Sequence, residues 1–176
     1  AIAKLASQWK SQIRISKFEI TLPRPMMHSK DYNFSFSGLK TAVLYRVRDE
    51  LKNRPTDRSM GLDKEFVGHM CFAIQDAICD VLVKKTLNAA KTYNVKTIIL
   101  GGGVSANQEL RRQLKEKIEK EMPNTKYLIP DTALSTDNAL MIAVAAYFNQ
   151  IPAYRQAGKK TSWQKLKVNP NLRIGK

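Results

Sequence analysis

The chain has 176 residues, and 30 Lys and Arg against 15 Asp and Glu give it a formal net charge of +15. Its 43% hydrophobic and 26% charged residues are globular values, which exclude a disordered chain, and the length suits one domain or one lobe of a larger protein. No run of about 18 apolar residues is present, so no membrane-spanning helix is expected.

The first ten residues, AIAKLASQWK, carry neither an initiator Met nor a secretory apolar block. No signal peptide is expected, the abrupt start points to a piece of something longer, and a cytoplasmic location is the default. Ile2, Leu5, Ala6 and Trp9 recur at helical spacing and read as the end of a helix. Ser11 to Leu22 alternates in part, and Pro23-Arg24-Pro25 ends any regular element there. Met26 to Asn33 reads as loop. Ser35 and Ser37 offer caps to a helix over 38–51, with Leu39, Val43, Leu44, Val47 and Leu51 on one face. Lys52 to Gly61 is a polar, basic break. The longest periodic run, 62–93, places Phe66, Met70, Ile74, Ala77, Ile78, Val81, Leu82 and Leu87 three or four residues apart, with Gly68 tolerated inside it. Cys71 and Cys79 lie in this run; two thiols cannot staple a domain of this size and read as reduced core residues.

Near Asn94 the pattern changes. Val95 to Leu100 is short, β-branched and apolar, as in a buried strand. Gly101-Gly102-Gly103 follows, then a helix over 105–121 with Leu110, Leu114 and Ile118 inward. Lys126 to Ile129 is a second short strand, stopped by Pro130. Ser135 reads as the cap of a last helix over 138–150, apolar almost all round and therefore expected to be buried. Strand, glycine turn, helix and strand imply an α/β fold with parallel pairing. From Arg155 to Lys176 there are seven Lys or Arg and no acid, a basic tail suited to phosphates or to plain solvation.

Three stretches carry candidate chemistry. In Gly101-Gly102-Gly103-Val104-Ser105-Ala106-Asn107, a buried strand opens through three glycines into a helix start. Free amides there attract anions, and Asn107 can face a ligand, so a nucleotide contact is favoured over a bare turn. The loop matches neither a Walker A loop nor a GxGxxG loop. In Ser135-Thr136-Asp137-Asn138-Ala139, Ser135 or Asp137 is either a cap or, for Asp137, a carboxylate offered to a hard or borderline metal at the loop end of the sheet. In Phe34-Ser35-Phe36-Ser37-Gly38-Leu39-Lys40-Thr41, hydroxyls, a glycine and a lysine at a helix start form either an anion cradle or an N-cap with two packed aromatics. His28 and His69 have no second histidine at ligand spacing. The +15 charge draws polyanions, above all nucleic acid, although a solubilising surface has the same composition.

PRPM at 23–26, FSFSGLKTA at 34–42, GGGVSAN at 101–107 and STDNA at 135–139 stand in the order and spacing of the TsaD family, once called the glycoprotease or sialoglycoprotease family. The chain resembles the C-terminal part of a bacterial member. The resemblance implies an α/β fold, helix-rich with a small, mostly parallel sheet, as the C-terminal lobe of an actin/Hsp70/sugar-kinase-like (ASKHA) protein. It divides the chain into 1–33, a helix end and loop entering the lobe; 34–150, the lobe; and 151–176, the basic tail. It implies transfer of threonylcarbamoyl from threonylcarbamoyl-adenylate to N6 of adenosine 37 of tRNA, with TsaB and TsaE as partners and TsaC supplying the adenylate. It gives Gly101, Gly102, Gly103 and Asn107 to the adenylate or ATP, Asp137 to a divalent metal (iron or zinc), and Ser37, Gly38 and Lys40 loosely to the cleft or lobe interface.

The resemblance also implies a His-x-x-x-His metal pair and a second glycine-rich segment in a first lobe, and this sequence has neither. Catalytic residues proper are therefore unassigned, and the chain alone is expected to be inactive and to self-associate through faces meant for the missing lobe. Two other readings differ in class. A metal-dependent glycoprotease would need a general base beside a ligated water, and no HExxH is present. A non-catalytic nucleotide-binding module would bind ATP without transfer.

Overall fold

The structure, a computed structural model, describes residues 2–13, 20–52, 62–136 and 138–150. It divides into two units, Ala1–Ser135 and Thr136–Lys176. In the first, helices α1 (Ile2–Ile13), α2 (Ser37–Lys52), α3 (Lys64–Thr92) and α4 (Gln108–Glu121) accompany strands β1 (Thr97–Ile99) and β2 (Lys126–Leu128). The strands pair in parallel, Thr97 with Lys126 and Ile99 with Leu128, and α4 is the crossover between them, as the strand-helix-strand pattern requires. The result is a helix-rich α/β fold with a small parallel sheet. The basic tail, 151–176, lies outside the described residues.

Helix α3 organises this unit. At 29 residues it is roughly 40 Å long. Its N-terminal half packs Phe66, Met70, Ala73 and Ala77 against Ile20, Leu22 and Leu39. Its C-terminal half packs Cys79, Val83, Leu87 and Ala90 against Ile98 and against Leu110, Leu114 and Ile118 of α4. An 18-residue window of α3 has a mean hydropathy of 1.5, enough in length and composition to cross a bilayer. The lack of an unbroken apolar run thus did not exclude such a helix; the core burial of α3 accounts for its composition. Both cysteines are free and buried. Burial pushes the Cys79 thiol up to about 12, which makes it an inert packing group. The helix ends where Asn94 takes φ 47°, with Val95 N–H donating to Ala90 O and Asn94 N–H to Lys91 O, the two bonds that close a helix on a left-handed residue.

Several expected details shift. Residues 11–13 continue α1 rather than starting an extended stretch, and 14–19 lie outside the described residues. On α2, Leu39 is buried but Leu44 and Leu51 are exposed, so that helix covers the core with a narrower stripe than its spacing suggested. Helix α5 (Ala139–Gln150), in the second unit, leaves Leu140, Met141, Ile142, Val144 and Tyr147 exposed, where its composition predicted burial. Composition records that a helix is apolar and cannot record what covers it. The cap of α5 is Asn138, whose Oδ1 accepts from Met141 N–H at 3.0 Å, not Ser135.

Two polar clusters lock the outer elements onto α3. Arg24 donates to Asp76 at 2.6 Å, to Asp80 at 2.8 Å and to Leu22 O at 2.9 Å. Burial, reinforced by the neighbouring Asp80, raises the Asp76 carboxyl above its usual range, and Arg24 opposes that rise. Lys85 is buried and donates to Ser29 Oγ at 2.6 Å and to Asp31 O at 2.6 Å. The two cations hold the intervening turn, in which Met26 sits at φ 56°.

Where α1 crosses α3, a Cβ added at Gly68 would lie 2.4 Å from the Trp9 ring. Gly68→Ala gains about 1 kcal/mol of helix propensity but must displace the indole. The expected net result is a loss of about 1–2 kcal/mol in urea unfolding, with altered Trp9 emission.

Lys10 of α1 reaches Glu109 of α4 at 2.8 Å, and Arg112 and Gln113 bond the same carboxylate. These donors, Arg112 first, bring Glu109 from 4.5 down to about 2. Its folded value lies below its unfolded one, so its contribution is complete above about pH 4.5 and is lost as pH falls towards 2. Glu109→Gln should therefore flatten the acid limb of stability in that window. It should cost about 1–2 kcal/mol at neutral pH, discounted because Lys10 and Arg112 are 38% and 46% exposed.

Candidate functional site

Two loops leave the C-terminal ends of the parallel strands, the edge at which open α/β sheets bind ligands. The first runs from Leu100 through the glycines into a short 3-10 turn, Gly103–Ala106, and then into α4. Gly102 has φ 83°, a conformation that residues with a Cβ rarely adopt, so a glycine is required there. Cβ atoms added at Gly101, Gly102 or Gly103 would meet nothing within 4 Å, so this backbone borders open space. The second loop passes Asp131, whose carboxylate accepts from Ala133 N–H at 2.9 Å, and closes at the buried Ser135.

Asn107 has a double role. Its Oδ1 accepts from Glu109 N–H at 2.9 Å and from Leu110 N–H at 3.2 Å, the N-cap of α4. Its Nδ2 donates to Gln75 Oε1 at 3.2 Å. The expectation of open amides at the start of α4 is corrected: Asn107 itself satisfies two of them. Ser105 Oγ, two residues earlier, is buried with no hydrogen-bond partner. Sequence reasoning missed Gln75. Its only trace was an uncharged amide between Ile74 and Asp76, which spacing alone does not mark as buried.

A groove of about 1000 Å³ lies against these residues. Gly101, Gly103, Ser105 and Asn107 line it from the glycine loop, and Phe34 and Phe36 line it from the segment entering α2. The two rings stand 5.7 Å apart, tilted by 46°. The volume suits a nucleotide-sized ligand, and the wall is mainly apolar with a few polar groups. Two motifs separated by some 60 residues thus meet on one surface, which spacing alone could not establish.

Ser37, Gly38 and Lys40 stand in the first turn of α2, and none of them lines that groove. Ser35 Oγ accepts from Ser37 N–H at 3.4 Å, and Gly38 faces Pro25, 3.6 Å from an added Cβ. Lys40 is exposed. Asp137 lies outside the described residues. Among the described residues no three His, Cys, Asp or Glu side chains converge, so these residues alone do not compose a metal site. His28 lies 3.2 Å from Lys84 Nζ, and His69 is buried beside Trp9 with Glu65 3.7 Å away; neither arrangement is that of a ligand.

The family model for TsaD, tRNA N6-adenosine threonylcarbamoyltransferase, matches residues 1–144. Proteins of that name are similar along most of the chain: one from Thermosipho africanus is 44% identical over 89% of it, and one from Geobacillus kaustophilus 40% over 87%. One from Listeria monocytogenes is 39% identical over 85%. The chain spans about two fifths of the length of these relatives, 42%, 40% and 40% in turn. On the extent of that match, and with the glycine turn and the paired phenylalanines brought to one groove, the chain belongs to the TsaD family.

Proposed function

We propose that the whole protein transfers threonylcarbamoyl from threonylcarbamoyl-adenylate to N6 of adenosine 37 of tRNA, and that this chain forms one wall of the adenylate cleft as the C-terminal lobe, 34–150, of an ASKHA-type fold. The observation that carries the reading is the groove shared by Phe34, Phe36, Gly101, Gly103 and Asn107. Membership of the TsaD family supports the reaction class.

The chemistry fits such a wall. Adenine N6 is a weak nucleophile, and the adenylate must depart as an anion, so the donor has to be held tightly and its leaving phosphate stabilised. In this proposal the phenylalanines flank the adenine ring, the side-chain-free backbone at 101–103 lets the phosphate approach, and the second Nδ2 proton of Asn107 with the Ser105 hydroxyl supplies hydrogen bonds. ATP is an alternative occupant of the same groove. Asp137 would give one ligand to a divalent metal, iron or zinc, whose remaining ligands would come from the rest of the whole protein. The net charge of +15 suits a tRNA backbone, and Ser37, Gly38 and Lys40 belong to the cleft rim or the face towards the other lobe. TsaB and TsaE are the proposed partners, TsaC the proposed donor source, and the cytoplasm the proposed location.

The direct test is mass spectrometry of tRNA nucleosides after incubating tRNA with the whole protein, TsaB, TsaE, TsaC as the donor source, threonine, bicarbonate and ATP. Appearance of threonylcarbamoyl-adenosine is expected, and its absence from a folded, metal-loaded preparation overturns the reading. Asn107 separates cap from contact. Asn107→Ala should cost about 1 kcal/mol of stability through the lost cap, and also lose activity. Asn107→Asp keeps the capping oxygens but replaces the donor with a charge. It should keep thermal stability while raising KM for the adenylate roughly tenfold.

We also propose that the chain alone is inactive and self-associates. Ile99 and Leu128, paired across the strands, are exposed along with the apolar residues of α5. Light scattering should show a dimer or larger species, diminished by Ile142→Asp; a concentration-independent monomer would rule this out.

A further inference from the structure

The two loops at the strand ends are joined by one side chain. Arg111 closes the first turn of α4, and its backbone N–H donates to Asn107 O at 3.1 Å. Side chains on a helix lean towards its N-terminus, so residue 111 covers the turn that precedes the helix. Its Nε donates to Ser105 O, in the glycine loop. Its Nη2 donates at 2.8 Å to Ser135 Oγ, at the end of the second loop. Ser135 Oγ in turn donates to Asp131 O at 3.1 Å, and Ser135 N–H donates to Thr132 O at 3.2 Å. Ser105 and Ser135 are both buried, at 1% and 4% exposure, so these bonds are sheltered from water.

We propose that Arg111 is a positioning residue for the transfer: its fork spans Ser105 and Ser135 and thereby ties the glycine loop, which lines the groove, to the buried end of the loop after β2. The inference rests on reading the groove as the donor site. A planar guanidinium presents donors in a fixed relation, so two acceptors on different loops are held at one spacing; a lysine ammonium on a flexible stem sets no such relation. Ser135 is suited to its end of the link because one hydroxyl accepts from Arg111 and donates to Asp131 O at once. Arg111 does not line the groove. Its influence on the donor therefore passes through the glycine loop, where Ser105 and Asn107 face the groove, and misplacement by a fraction of an ångström there is costly.

The test uses the whole protein with its partners and measures steady-state tRNA modification and thermal unfolding for Arg111→Lys, Ser135→Ala and the double variant. Each single variant should raise KM for the acyl-adenylate donor and lower kcat, together reducing kcat/KM roughly tenfold, with KM for tRNA unchanged. The double variant should be no worse than the poorer single one, because both substitutions break the same link. A merely structural role predicts fewer active molecules, hence a lower kcat with both KM values intact, and that result overturns the inference. Additive losses, or full activity in both singles, overturn it as well. If Arg111→Lys fails to fold, Ser135→Ala, which removes only a hydroxyl, decides the matter through the same KM split. A wild-type preparation that makes no product defeats the functional reading and takes this inference with it; an active wild type with unaffected variants defeats the inference alone.

Discussion

From Phe66 to Leu87 no residue of α3 is exposed, and the cover that this helix needs shapes the rest of this unit. One end takes α2 and the segment 20–22, and the other takes α4 and the underside of the sheet. The elements that bear candidate chemistry are the ones recruited as cover. Phe34 and Phe36 arrive with the entry to α2, and the glycine loop with the entry to α4. The groove between them is a by-product of two independent packings against one helix, with Ile74, Gln75 and Ile78 of that helix as its floor.

Polar groups in this arrangement join elements more than they decorate surfaces. Arg24 and Lys85 fasten a turn to α3, Glu109 gathers Lys10 and Arg112, and Asn107 caps one helix while touching another. A buried cation left without its partners would be costly, so each of these groups needs its acceptors held in place. Glu109 shows the balance plainly: three donors outweigh its partial burial, and its carboxyl is held well below its ordinary range. Asp76 shows the opposite result, where burial and a second carboxylate outweigh a single arginine.

Much of this was legible in the residues. The period of 62–93, the inward Leu110, Leu114 and Ile118, the two short strands and their parallel pairing all follow from hydrophobic spacing and from a helix placed between strands. The contacts of the site were less legible. Asn107 read as a ligand contact, and its capping bonds to Glu109 and Leu110 emerge only from coordinates, because a cap and a ligand contact call for the same residue at the same place. Gln75 and Arg111 were invisible because their partners lie 32 and 24 residues away, or on a loop whose path periodicity does not describe. Helix α5 and the outer residues of α2 read as core because apolarity registers the need for cover but not its source.

The crossing of α1 and α3 has a consequence for how related chains can differ. Trp9 fills the space that the absent side chain of Gly68 leaves, so the two positions are not free to drift separately. A relative that carries alanine or serine in place of the glycine should carry a smaller ring or an aliphatic residue opposite it, or set its first helix farther out. Across a set of aligned sequences, bulk at these two places should trade off, one rising as the other falls.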